Sequence, residues 1–110
     1  GWIPVTVERA DRQHGLHKYW GELDQTMKPS DICKRNMWFC MIDEPYGLAN
    51  RHQIGLDKIF WECDYPHANC PWPGTQALVE DLFKDVPDDE ANMILFENAE
   101  KMFNWKVPDL

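Results

Sequence analysis

Positive charge is scarce in this 110-residue sequence: 11 Lys and Arg face 19 Asp and Glu, giving a net charge of −8. No basic cluster reverses that sign locally. Such a surface repels phosphate backbones and anionic headgroups, so neither nucleic acid nor a membrane surface is an expected partner. Long hydrophobic runs are missing too, and nothing approaches the roughly 20 apolar residues that a spanning helix needs. The opening GWIPVTVERADR lacks the basic-then-apolar layout of a secretory leader, which makes a cytoplasmic setting the expectation. The chain starts at Gly1 without Met, so processing, or excision from a longer chain, is expected. Also missing are G-x-G-x-x-G, the P-loop, G-x-S-x-G and H-E-x-x-H, which leaves nucleotide binding and serine hydrolysis without support. There is no internal repeat, low-complexity tract or Gly/Ser linker, and residues 1–110 read as one continuous unit.

What is present is core material. Hydrophobic residues make up 44% of the chain and aromatics 13%, a composition of folded protein rather than disordered chain. Four cysteines at 33, 40, 63 and 70 form two C-x6-C pairs. Structural zinc favours closer pairs such as C-x2-C, in which a tight turn aims both sulfurs at one ion. Two of the four lie in apolar runs, WFCMI and FWECD, where a thiol packs as a small hydrophobe. Free thiols in a reducing compartment are expected.

The order of elements is more informative. Residues 5–20 predict a helix interrupted or ended near Gly15, with Val7, Ala10 and Leu16 inward. Residues 21–36 predict a polar loop with one short helix that Ser30 is placed to cap. Two apolar runs of strand length, residues 36–42 and 58–64, bracket GLANRHQIGLD, a spacer long enough for a short crossover helix. Parallel pairing follows, with each strand buried on both faces. Thr75 can cap a helix carrying Ala77, Leu78, Leu82 and Phe83 on one face. A last helix after VPDDE carries Ile94, Leu95, Ala99, Met102 and Phe103. This is an α/β chain whose strands would expose their edges, and so it looks like part of a larger sheet or barrel.

In α/β folds, reactive groups gather at the C-terminal ends of strands. Asp64 stands there on the second strand. Its carboxylate could bind a divalent cation or orient a metal-bound water; equally, it could begin a turn through Asx-type hydrogen bonds. Tyr65-Pro66-His67 is short enough to return His67 over the strand ends. Cys63 alternates with Asp64, which sends the thiol to the opposite face as packing. Pro71 opposes the helical form in which His67 and Cys70 would chelate. His14 and His17, at i and i+3, read as solvated beside Asp11 and Lys18. Asp43 and Glu44 are either paired carboxylates at the first strand's end or the polar start of the EPYG turn.

The segments GWIPVTVERADR, KPSDICKRNMWFCMIDEP, IGLDKIFWECDYPHANCPWPGT and LFENAEKMFNW together resemble the C-terminal part of the amidohydrolase-2 family. Its members include amino-carboxymuconate-semialdehyde decarboxylase and related metal-dependent hydrolases and decarboxylases. IGLDKIFWECDYPH is the most specific piece, with Cys63 where the family usually has serine, and NAEKMF supports it. The resemblance implies a C-terminal fragment of a (β/α)8 barrel, about strands 7 and 8 with their helices, and one divalent metal, often zinc. Asp64 would then ligate that metal or partner its water, and His67 would line the substrate pocket. The family's His-x-His and its other histidines have no counterpart in this sequence. The expected function is therefore part of a hydrolase or non-oxidative decarboxylase acting on a small carboxylated or carbonyl substrate. In that case the chain alone is inactive and associates with the rest of the barrel or with copies of itself. The alternatives are a non-catalytic self-associating module derived from that fold and a small thiol-based metal or redox protein.

Overall fold

A parallel strand pair needs a crossover to return the chain to the same end of the sheet, and the stretch between the two apolar runs supplies one. The computed structural model describes residues 1–106 and 108. They fall into two compact units, residues 1–38 and the described chain from Phe39 onward.

In the first unit, α1 spans Trp2–His17 and α2 spans Pro29–Asn36. The expected break at Gly15 does not occur. A lone glycine costs a helix only about 1 kcal/mol, and α1 runs on to its C-cap at Lys18. Ile3 is buried, and Val7 and Ala10 are half-buried, but Leu16 is exposed, so the inner face lies nearer the helix start than expected. Ser30 is not the cap of α2. Its place inside the first turn makes its N–H one of the helix's orphan donors, and Asp11 of α1 accepts it at 2.8 Å. Asp31 folds back to the Lys28 N–H at 3.4 Å.

In the second unit, β1 (Phe39–Met41) pairs in parallel with β2 (Ile59–Trp61), Cys40 opposite Phe60. Both strands are shorter than their apolar runs. Asn36 still belongs to α2, Met37 is its extended C-cap, and Lys58 closes a 3-10 turn over Leu56–Lys58. One further ladder bond, Glu62 N–H to Met41 O at 2.9 Å, continues the pairing past Trp61. The crossover is α3 (Pro45–Ala49), α4 (Arg51–Ile54) and that 3-10 turn. Gly55, at φ 117°, makes the corner between α4 and the turn, a conformation that side chains with a Cβ rarely adopt.

Then come α5 (Thr75–Phe83), α6 (Asp88–Asn92), a π-helical turn over Met93–Glu97 and α7 (Asn98–Phe103). Thr75 makes no cap bond, and Gly74 holds the N-cap position of α5. Asp88, Asp89 and Glu90 crowd the first turn of α6, where the helix dipole favours negative charge. Ile59 and Phe60 are consecutive on β2 and both buried, so this strand is covered on both faces, as its continuous apolar run predicts; β1 is not, for Met41 is buried but Cys40, expected to pack, is exposed on the other face. The π turn packs against β2, Ile94 is fully buried at 0% exposure, and the Phe103 ring lies 6.3 Å from that of Phe60. Asn98, 2% exposed, donates both N–H bonds of its amide to carbonyls flanking the strand entry, Leu56 O at 2.8 Å and Ile59 O at 2.7 Å. Arg51 pairs with Glu90 and donates to Leu48 O, joining the crossover to α6.

Candidate functional site

The loop that follows β2 holds the residues the sequence singled out. Asp64 sits at φ 56°, the left-handed region that Asp tolerates better than most residues because its short polar side chain can bond locally. That conformation ends the extended chain and turns the carboxylate toward the residues ahead. The His67 N–H donates to Asp64 O at 2.8 Å, and the Cys70 N–H donates to His67 O at 3.0 Å. Around this pair of turns, His67 Nδ1 comes within 3.0 Å of Asp64 Oδ2. Asp64 and His67 are thus brought together, both well exposed. Asp64 does begin a turn, but through its main-chain oxygen and not through the Asx-type side-chain hydrogen bonds expected of it.

Cys63 and Cys70 meet as well, which spacing could not reveal. Their sulfurs are 3.3 Å apart, with Thr75 Oγ1 3.6 Å from Cys63 Sγ and the Trp72 N–H donating to Cys70 Sγ at 3.3 Å. Cys63 is therefore more than packing: it closes the base of the loop from 64 to 69. The Thr75 hydroxyl first, and then the Cys70 thiol, hold the Cys63 thiol below its ordinary range. Partial burial pushes Cys70 up. On β1, desolvation and the neighbouring Glu62 carboxylate push the Cys40 thiol up to about 11. A second feature missed in the sequence is the edge-on pair of Tyr65 and Trp72, with centroids 5.9 Å apart and planes at 71°. Both rings are largely exposed, and they belong to the same loop and the turn that follows it.

The remaining candidates are occupied locally. Glu44 Oε2 accepts the Ile42 N–H at 2.7 Å, which makes it a turn former, and Asp43 is exposed beside it. His14 Nε2 bonds Asp24 O at 2.6 Å, and His17 is exposed. Both line a largely apolar cavity of about 500 Å³ in the first unit, together with Ala10, Leu23, Ile32 and Met37. Among the described residues, no group of three or more His, Cys, Asp or Glu side chains could hold a metal ion. A catalytic zinc takes about three protein ligands, so these side chains do not make up a complete metal site.

The family model described as Amidohydrolase matches residues 9–105. No curated protein matches the chain. Among solved structures, that of 5-carboxyvanillate decarboxylase LigW from Sphingomonas paucimobilis shares the fold, with a TM-score of 0.78 and 23% identity. The match covers 96% of this chain and 31% of that one, so this chain spans about a third of the decarboxylase's length.

Proposed function

Because the chain belongs to the amidohydrolase family, and its two parallel strands and helices match part of a barrel decarboxylase, we propose that it forms part of a metal-dependent enzyme. The reaction is non-oxidative decarboxylation, or the related hydrolysis, of a small carboxylated or carbonyl substrate in a cytoplasmic setting. One observation carries this reading: Asp64 and His67, 3.0 Å apart, stand together just past the C-terminal end of a parallel strand, where barrel enzymes keep their reactive groups. Asp64 supplies one carboxylate to a divalent cation, zinc, whose other ligands come from outside this chain. His67 keeps Nδ1 on Asp64 and offers Nε2 to the substrate. Tyr65 and Trp72, set edge-on to each other, offer exposed aromatic surface suited to an unsaturated substrate. The 5-carboxyvanillate decarboxylase neighbour supports decarboxylation over hydrolysis.

The test uses the protein that carries this segment, assayed for bound metal and for release of carbon dioxide from a panel of aromatic carboxylates. Asp64→Ala is expected to lower metal affinity and turnover by about 100-fold or more, since loss of a mere outer-shell partner of a metal ligand already costs about 10–100-fold. Full retention of both would rule the assignment out. The other reading, a self-associating module without catalysis, draws support from the strand edges that no third strand covers among the described residues.

A further inference from the structure

We propose that Cys63 and Cys70 are a modification site: they form a reversible disulfide that clamps the base of the loop bearing Asp64 and His67. The geometry points to this directly. Cys63 follows β2 and Cys70 precedes the turn into α5, while the residues between them, 64 to 69, are all exposed. The two sulfurs stand 3.3 Å apart, and a disulfide requires about 2.05 Å, a closing movement within reach of side-chain rotation. Each sulfur has a second contact that keeps it in place, Thr75 Oγ1 on Cys63 and the Trp72 N–H on Cys70.

The oxidant is a small disulfide such as oxidised glutathione. One cysteine sulfur displaces half of it, forming a mixed disulfide and releasing one small thiol. The second cysteine then attacks the mixed disulfide, releasing the other small thiol and leaving the Cys63–Cys70 bond. Two electrons pass to the small disulfide, and the two thiol protons end on the two released thiols. The clamp does not depend on Asp64 being a metal ligand.

The sequence contains its own control. Cys33 and Cys40 have the same C-x6-C spacing, so in an unfolded chain both pairs close loops of equal length at equal entropic cost. Preference for the 63–70 pair therefore reports the folded geometry. The experiment treats the native protein with oxidised glutathione, blocks remaining thiols with iodoacetamide and maps the peptides, with a parallel sample in denaturant. The native protein is expected to lose two hydrogens in a Cys63–Cys70 linked peptide, favoured over a Cys33–Cys40 link by about tenfold or more, a preference absent in denaturant and reversed by dithiothreitol. Cys63→Ser is expected to leave a glutathione adduct on Cys70 instead. Two results would overturn the clamp: glutathione stably attached to both Cys63 and Cys70 in the native protein, or 63–70 and 33–40 links in equal yield. A metal and turnover result on Asp64→Ala bears only on the enzymatic reading, so the two proposals fail separately.

Discussion

Asp11 shows how one carboxylate can organise a unit with little core. It reaches from α1 to the Ser30 N–H at the start of α2, doing from a distance what an N-cap side chain does locally. The Ser30 hydrogen bonds, with Lys28 nearby, hold its carboxyl below the ordinary 3.8, against a smaller opposing effect of burial. A carboxyl lowered in the folded state stabilises above its unfolded value, and that contribution is lost as pH falls through the lower folded value. Acid unfolding of the first unit, followed by circular dichroism, should therefore have a component below pH 3.8 that Asp11→Ala removes. At neutral pH the same substitution should cost about 1 kcal/mol, the usual worth of a cap, read as a lower denaturation midpoint. None of this was legible in the sequence, because a cap supplied from 19 residues away leaves no local pattern. Asp64 was legible, since a carboxylate ending an apolar run is a positional signal. The Cys63–Cys70 contact was not, since it depends on two successive turns that the residue types permit without dictating.

Among the elements, the parallel pair, its crossover of short helices and the two C-terminal helical segments were all readable from apolar runs and spacings. Their ends were not. Strand β1 starts late because α2 extends through Asn36, and an apolar run cannot say which of its residues a neighbouring helix will claim. The final helix hides more. Ile94, Leu95 and Ala99 gave a fair inner face, yet Met102 and Phe103 are substantially exposed while Asn98 is buried. The π turn at Met93–Glu97 shifts the helical phase, so a stripe extrapolated at 3.6 residues per turn drifts off the buried side. Asn98 answers two carbonyls at the entry to β2, and loss of its donors leaves buried acceptors unpaired at about 1–3 kcal/mol each. Asn98→Leu, which keeps the volume, should therefore lower the stability of the second unit by about 2–6 kcal/mol. Urea titration followed by tryptophan fluorescence would show it, and an unchanged midpoint would mean that these bonds contribute nothing net.

At the scale of the whole molecule, the surface is unusual for a chain of this size. Trp2, Tyr19, Trp20, Tyr46, Tyr65, Trp72, Phe103 and Trp105 are each more than 60% exposed, far from the usual fate of large aromatics. Together with strand edges that no third strand covers among the described residues, this predicts association, either with other segments of a barrel or with further copies. Sedimentation velocity of the 110-residue chain should show species larger than a monomer, or a mass that grows with concentration. A single, cooperatively folded monomer would argue that the exposed rings are tolerated without a partner. The sequence hinted at this only through its two lone strands, because exposure depends on tertiary packing that composition does not report. No helix among the described residues is long and apolar enough to cross a membrane. The loop after β2 carries one more consequence. The aim of the Asp64 carboxylate rests on its own φ of 56°, the His67 N–H on its carbonyl and the His67 ring nitrogen on its Oδ2, while Tyr65, Ala68 and Asn69 are exposed. Replacing those three leaves the bonds that aim Asp64 in place, so the positions that can shape a binding surface are free to drift in evolution independently of the pair that would do the chemistry.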